Sequence, residues 1–294
     1  MKWLHHAHSA IESCLAKYGS RVVREGAARW RFTVENGAPV RATAHLEDDL
    51  LLLAASPGSA VERATVPRLL EWNAGLPGNS KFALDRREIV VRSEVVADDD
   101  ISLATVERLA GELGGIRQAL ELLHGGNSRE AASARTQVES EEAEAASGGL
   151  SGVLSEAGWK CTERAAGTLA VDLESSLGFY QARVEAHTGG WRARVELERL
   201  GDGGETPRLA LSMLLLSGGN FVRLVRPVCW GAPDGWRAGF EAWVNIAPSV
   251  EEAGHAMTAL SLACSHCGRE AKVFKDEAVA AGYLAARGFT DQSD

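Results

Sequence analysis

The chain has 294 residues, of which 45% are hydrophobic and 24% are charged. This length favours two domains, and the composition is typical of soluble globular proteins rather than disordered or fibrous ones. Lys and Arg number 31 against 40 Asp and Glu, which gives a net charge of -9. Such a charge repels phosphate groups, so we expect neither nucleic acid nor membrane as a partner. A polypeptide with basic and apolar residues suits the surface better, although many soluble proteins are acidic for solubility alone.

The first eight residues include His5, His6 and His8 but no apolar stretch of signal-peptide length. No later run approaches the span of a bilayer. We therefore expect a cytoplasmic protein whose histidines lie in a disordered N-terminus and bind no metal. The five scattered cysteines are expected to be reduced thiols.

An internal repeat organises the sequence. Residues 11–35 align without gaps on residues 150–174, and apolar positions fall on apolar positions almost throughout. Two shorter matches follow in the same order, Pro67-Arg68-Leu69 with Pro207-Arg208-Leu209 and Gly78-Asn79 with Gly219-Asn220. Coincidence in a chain rich in Ala, Leu and Arg is the alternative, and three matches in order argue against it. The sequence therefore predicts two copies of one module, residues 1–124 and 150–294.

Between the copies, residues 125–149 show no apolar periodicity and carry glutamates between glycine-containing ends. This composition is typical of an acidic polar linker. Its Ala and Glu content leaves open whether the linker is flexible or a solvated helix. Each module beside it is long enough to bury its own core.

Within each copy, helical and strand periods alternate in the same order. An amphipathic helix comes first, followed by three strands, a short helix with Thr65 or Thr206 as N-cap, a hairpin and a long helix. The predicted strands are 30–34, 40–46, 50–55, 81–84 and 89–96 in the first copy, and 169–173, 180–186, 191–197, 221–230 and 236–246 in the second. Each copy is thus an α+β module of order α-β-β-β-α-β-β-α, with a five-stranded antiparallel sheet and helices on one face.

This order, together with the segment Leu69-Leu70-Glu71-Trp72-Asn73-Ala74-Gly75-Leu76-Pro77-Gly78 before Phe82-Ala83-Leu84, resembles the type III secretion chaperone-like family. The resemblance covers residues 10–124 and, more loosely, 150–275. It implies a small, acidic, non-enzymatic bacterial protein that dimerises and holds an extended segment of a partner protein. Two copies in one chain imply a built-in pseudo-dimer that is monomeric or only weakly self-associated. The first and last helices and the outer strands are the surfaces predicted to meet or to accept a peptide.

The sequence contains one motif that suggests redox or metal chemistry, Cys264-Ser265-His266-Cys267. A CxxC pair can be a redox couple or half of a zinc site. Both cysteines lie on the apolar stripe of the last helix, and no second pair completes four ligands. We expect them to be reduced and buried, with redox and metal roles as alternatives. Because recognised catalytic motifs are absent, we predict no catalytic, cofactor-binding or metal-binding residue and no cofactor.

Four tryptophans are predicted to bind a partner, Trp72, Trp191, Trp230 and Trp236. Trp230 and Trp236 flank a hairpin turn, where aromatic side chains anchor partners. The alternative is a cross-strand pair that covers the core.

The predicted function is non-enzymatic binding, in which sheet edges or apolar helix surfaces hold an extended peptide. One alternative is a regulatory or scaffold protein that binds one folded partner or a small ligand. Another is a thiol-dependent redox protein that uses Cys264 and Cys267.

Overall fold

The computed structural model of the protein describes residues 2–36, 38–97, 101–125, 149–165, 167–175, 178–187, 190–200, 204–232, 235–245 and 247–289. The first module consists of α1 (Lys2–Tyr18), β1 (Ser20–Arg24), β2 (Arg29–Asn36), β3 (Ala38–Glu47), β4 (Leu50–Ser56), α2 (Thr65–Asn73), β5 (Lys81–Asp85), β6 (Glu88–Val96) and α3 (Leu103–Leu123). The second consists of α4 (149–156), β7 (Cys161–Ala165), β8 (Thr168–Ser175), β9 (Gly178–His187), β10 (Gly190–Leu200), α5 (Glu205–Phe221), β11 (Arg226–Ala232), β12 (Gly235–Asn245), α6 (Val250–Val273) and α7 (Glu277–Ala285). Apart from its two end residues, the predicted linker lies outside the described residues.

Two antiparallel sheets confirm the predicted tandem α+β fold, and they share one strand order. The first sheet runs β1-β2-β3-β4-β6-β5, and the second runs β7-β8-β9-β10-β12-β11. Each sheet has six strands, so the predicted count of five is wrong. The missed strands are β1 and β7, which lie at the sheet edges and are short and mostly exposed. An edge strand that buries so little carries no apolar alternation for the sequence to reveal.

The inward faces of the strands follow the alternation that the sequence predicts. In β2, Trp30, Phe32 and Val34 are buried while Arg31 between them is exposed. Helices α1 and α3 pack on this face of the first sheet, and α6 packs on the corresponding face of the second. Helix α7 packs against α5 and has no counterpart among the residues described for the first module.

Three local predictions differ from the structure. Helix α1 begins at Lys2 rather than near residue 11, and it buries His8, so the predicted disordered N-terminus is helical. Thr65 is the first residue of α2 and Thr206 the second residue of α5, so neither is the predicted N-cap. Helix α5 continues past Gly219 to Phe221, where a strand was predicted, so Gly219 is helical whereas Gly78 lies in a turn at φ 53°.

The two modules contact each other through equivalent elements. Helix α5 of the second module packs on β5 of the first, and α2 of the first packs on β11 of the second. The two helices also contact one another. Each module therefore covers one edge strand of the other, which leaves β1 and β7 as the outer edges of the pair. Among the described residues, none of the helices combines the length and apolar character needed to cross a bilayer.

Candidate functional site

The junction between the modules contains a buried lysine from the first module. Lys81, the first residue of β5, pairs with Glu94 Oε1 at 3.0 Å. Its Nζ also donates to the backbone oxygens of Val222 (3.0 Å) and Val225 (2.8 Å), in the connection that follows α5. Glu94 Oε2 accepts from the backbone N–H of Leu224 at 3.3 Å. Burial lowers the pKa of Lys81, and the contact with Glu94 opposes that shift.

The second module makes the same kind of contact with the first. Arg226, the first residue of β11, is buried, donates to the backbone oxygen of Leu76 in the first module and pairs with Glu241. Arg194 pairs with the other oxygen of Glu241 at 2.6 Å. Burial alone would raise the pKa of Glu241, but the guanidinium groups of Arg226, Arg194 and Arg192 outweigh it and lower the pKa to about 2. Each module thus inserts one cation, held by its own carboxylate, into the loop after the α2 or α5 helix of the other.

A buried carboxyl group lies at the edge of this junction. Glu112 on α3 accepts hydrogen bonds from the backbone N–H of Asn79 at 2.9 Å and from the hydroxyls of Ser80 and Ser93. Burial raises the pKa of Glu112, and these three donors oppose the shift. The adjoining cavity, of about 200 Å³, is shared with Glu252 of the second module. No Ser, Thr, Cys, His or Lys lines it in the described part of the chain, and the hydroxyls of Ser80 and Ser93 lie behind the carboxyl group, where they donate to it. Glu112 is therefore explained by its role in fixing the 77–80 loop.

An apolar cleft of about 460 Å³ lies where β4 of the first module meets α5 and α6 of the second. We call it the apolar cleft. Its apolar lining consists of Leu50, Phe221, Val222, Leu224, Ala259 and Leu262. Phe221 and Leu262 are 71% and 57% exposed, which is unusual for side chains of this size. Asp49, His255 and His266 supply polar groups at the same cleft.

A second cleft, of about 630 Å³, lies on the other side of α6. Its lining includes Trp159, Val250 and Phe179, which is 82% exposed. His255 and Thr258 of α6 line both clefts, so the two form one surface that crosses the helix. Three exposed large hydrophobic residues, Phe179, Leu262 and Phe221, lie along this surface.

The outer sheet edges offer less to a partner strand. The ladders that join β1 to β2 and β7 to β8 each contain a register shift. Charged residues lie in both edge strands, Arg21 and Arg24 in β1 and Glu163 and Arg164 in β7. Irregular ladders and charged side chains are the features by which native sheets discourage strand addition. The predicted mode of strand addition is therefore less favoured than binding in a groove.

The four predicted tryptophans do not form one surface. Trp191 is only 1% exposed and lies in the core of the second module, so it has almost no surface to give a partner. Trp72 on α2 is half-buried, and its ring centroid lies 5.8 Å from that of Phe82. Whether Trp72 binds a partner stays a prediction.

Trp230 and Trp236 lie on opposite faces of the β11–β12 hairpin. Trp236 is opposite Gly231 in the ladder, and Trp230 is opposite Arg237, so the two indoles alternate across the sheet. They are therefore not the cross-strand pair that was the alternative interpretation. The Arg194 guanidinium lies 4.7 Å from the Trp230 ring centroid, whereas Trp236 packs against the core and contacts the Cys229 thiol.

Cys264 and Cys267 are free and buried, as the apolar stripe of α6 predicts. Burial raises the pKa of each thiol to about 12. A thiol with such a pKa stays protonated at neutral pH, which disfavours thiolate chemistry. Within the described ranges, no group of three or more His, Cys, Asp or Glu side chains is placed to hold a metal ion.

Sequence reasoning missed both the apolar cleft and the buried cations. Leu262 offered a signal, because it lies off the three-four apolar stripe of its helix yet is large and apolar. Phe221 offered none, because it was assigned to a strand. Lys81 was visible as a cation at the start of the predicted strand 81–84, whereas Arg226 lay in the middle of the predicted strand 221–230. Their carboxylate partners come from other positions in the sequence.

Comparison of the chain with family models, with curated proteins and with solved structures finds no match. The resemblance to the type III secretion chaperone-like family therefore stays a prediction from element order and apolar placement.

Proposed function

We propose that this protein is a non-enzymatic, chaperone-like binding protein that holds an extended segment of a partner polypeptide in the apolar cleft. The observation that carries the proposal is the exposure of Phe221 and Leu262 over a concave apolar lining. Large exposed hydrophobic residues gathered at one concave surface are typical of binding sites, whereas single ones scattered over a surface are not.

The shape of the surface favours an extended occupant. The apolar cleft continues across α6 into the second cleft, so a linear segment can place one apolar side chain near Phe221 and another near Phe179. His255 and Thr258, which lie between these positions, can bond the main chain of such a segment. This is groove packing rather than strand addition.

The cleft also depends on both modules. Leu50 comes from the first module, whereas Leu262 comes from the second. A duplicated chain that keeps its modules paired therefore keeps this cleft assembled at any protein concentration.

The element order supports the chaperone-like part of the proposal, because it resembles a bacterial family of non-enzymatic binders of extended segments. Fold likeness alone does not transfer a function, so the cleft carries the argument. Five free cysteines favour a reducing compartment, and we place the protein in the cytoplasm.

A random library of 12-residue peptides selected against the full chain tests the proposal. Peptides with spaced apolar residues should be enriched, and the double variant Phe221→Ser, Leu262→Ser should bind them at least tenfold more weakly by fluorescence anisotropy. Leu103→Ser is the matched control, because Leu103 is 73% exposed but lies on α3 away from the cleft.

Both variants alter exposed residues, so their unfolding free energies should stay within about 0.5 kcal/mol of the original. Equal peptide affinity for the double variant and the control would overturn the proposal. So would a library that yields no linear peptide while one folded protein binds stoichiometrically, which is the behaviour of a scaffold.

A further inference from the structure

The face of the first sheet that points away from α1 and α3 contains a cavity of about 230 Å³, which we call the basic cavity. Leu52 and Ala54 of β4 are part of its lining, and four basic side chains also line it. These are Arg29, His45, Arg92 and, from the second module, Arg223. The net charge of -9 predicts basic partners for the surface as a whole, so this local concentration of cations calls for its own explanation.

Arg92 is the cation in this cavity whose charge is least compensated. Its Nε atom is buried and has no hydrogen-bond acceptor in the described part of the chain. The residue opposite it on β5 is the cation Lys81. Glu94, which also lines the cavity, is engaged by Lys81 and by the backbone N–H of Leu224.

The arginines at the rim have carboxylate partners of their own. Arg29 lies 3.6 Å from Glu25, and Arg223 lies 2.8 Å from Glu47. These pairs are largely exposed and contribute little to stability. The strongest demand for an anion in the cavity is therefore at Arg92.

The second module shows what its sheet places at the equivalent position. Strand pairing places one residue of each of five neighbouring strands side by side in a row across the first sheet, namely Arg31, Thr43, Ala54, Arg92 and Lys81. The equivalent row across the second sheet is Ala170, Arg183, Arg194, Glu241 and Arg226. Glu241 thus stands where the first module has Arg92.

That carboxylate is enclosed by arginine. Its side chain is fully buried, with Arg194 at 2.6 Å and the Arg226 Nε at 3.0 Å. In the neighbouring row, Arg192 stands where the first module has Leu52. Large side chains and a carboxylate therefore fill this face of the second sheet, whereas Leu52 and Ala54 leave room above the first.

We propose that the basic cavity binds a carboxylate side chain of an acidic, extended polypeptide segment, in the role that Glu241 fills internally in the second module. This inference rests on the proposed function and names the charge of the segment that is held. Arg41 projects from the same face of β3 and is exposed, so positive charge continues beyond the cavity. Arg31 on β2 shares this face and lies 3.3 Å from Glu25. A segment with several Asp or Glu residues matches that surface.

A fluorescein-labelled peptide with six consecutive glutamates is the probe, measured by anisotropy with the full chain in 50 mM NaCl. Its glutamine counterpart and a hexathymidylate oligonucleotide are measured in parallel. We expect the glutamate peptide to bind, the glutamine peptide to bind at least tenfold more weakly, and added salt to weaken the complex.

Two variants locate the site. Arg92→Glu should weaken binding of the glutamate peptide at least tenfold, and Arg92→Gln should weaken it several-fold. Both should fold, because Arg92→Glu sets a carboxylate opposite Lys81 just as Glu241 lies opposite Arg226. Arg164→Gln, at an exposed arginine on β7, is the control and should leave the affinity unchanged.

Absence of binding to the glutamate peptide, or equal binding by Arg92→Glu and the original chain, overturns the inference. Tighter Arg92-dependent binding of the oligonucleotide overturns it in favour of a nucleic acid. None of these results bears on the apolar cleft. Arg223 lines both sites, but neither Arg92 nor the pair Phe221 and Leu262 does, so the Phe221→Ser, Leu262→Ser variant should bind the glutamate peptide normally. Failure of the cleft and failure of the basic cavity are therefore separate results.

Discussion

Glu241 shows how one buried charge can hold two modules together. Its carboxylate fixes Arg226, and Arg226 in turn donates to the backbone oxygen of Leu76 in the other module. A buried ion pair is often no more stabilising than an apolar replacement of both residues. Removal of one partner alone is destabilising, because it leaves the other charge buried and unpaired. The arrangement therefore specifies the geometry of the junction more than it adds to the free energy of unfolding.

Substitution Glu241→Gln should lower the free energy of unfolding at pH 7 by about 3–5 kcal/mol, since Arg226 and Arg194 lose their carboxylate partner. The folded-state pKa of about 2 lies below the ordinary value of 4.5, so this stabilisation is present above about pH 4.5 and is lost as the pH falls towards 2. The difference between the original and the variant should accordingly shrink from pH 7 to pH 2.5 in urea unfolding. Glu88→Gln, at an exposed glutamate on β6, should change stability by no more than about 0.5 kcal/mol at either pH. A difference that stays constant with pH would contradict the assigned role of Glu241.

Among single residues, the sequence was informative about packing and not about partners. Cys264 and Cys267 were predicted to be buried because their spacing follows the apolar stripe, and stripes depend only on local geometry. The contact of Lys81 with Val222 and Val225 joins residues more than 140 positions apart. No local pattern encodes such a contact.

Helix α5 is the element that departs most from its counterpart. Helix α2 ends at Asn73, whereas α5 runs for 17 residues and carries its C-terminal turns between α6 and β11. The absence of side chains at Gly218 and Gly219 lets these turns of α5 lie close to their neighbours. A Cβ atom at Gly218 would lie 2.5 Å from Cys267 Sγ, and one at Gly219 would lie 2.8 Å from Pro227.

Substitution Gly218→Ala should therefore destabilise the protein by about 1–3 kcal/mol through overpacking, despite the higher helix propensity of alanine. Gly111→Ala on α3 is the matched control, because a Cβ there meets no atom within 4 Å. It should stabilise by about 0.5–1 kcal/mol. Thermal unfolding followed by circular dichroism measures both. Addition of Cys267→Ala to Gly218→Ala should restore part of the loss, and a double variant no better than the sum of the two single ones would contradict the packing explanation.

Elements with a strong apolar period were predictable, and those whose form depends on distant contacts were not. The alternation in β2, β3 and β4 placed these strands close to their observed bounds, and the three-four apolar stripe predicted that each module ends its repeated order with a long helix, α3 or α6. Strands β1 and β7 bury too little to leave a pattern. The length of α5 depends on glycines that look like helix breaks in sequence and serve as contact points in the fold. The apolar cleft, which lies between such elements, was accordingly beyond sequence reasoning.

At the scale of the whole molecule, duplication within one chain favours pairing of the two modules. Two like modules in one chain meet at an effective concentration of roughly millimolar, so a modest self-complementary surface is enough to close them. The observed contact uses the edge strands β5 and β11 together with α2 and α5. Each module is bound to the other by a cation that reaches a backbone oxygen across the junction. The apolar cleft exists only while this contact is closed.

The most direct test of this account is to cut the chain between its modules. A protease recognition site placed in residues 126–148 of the full chain allows cleavage after folding, and light scattering coupled to size exclusion then gives the mass. We predict that the two fragments stay together at the mass of one intact chain and continue to bind the selected apolar peptides. Fragments that separate after cleavage, at micromolar concentration and neutral pH, would contradict the paired-module structure and the cleft that depends on it.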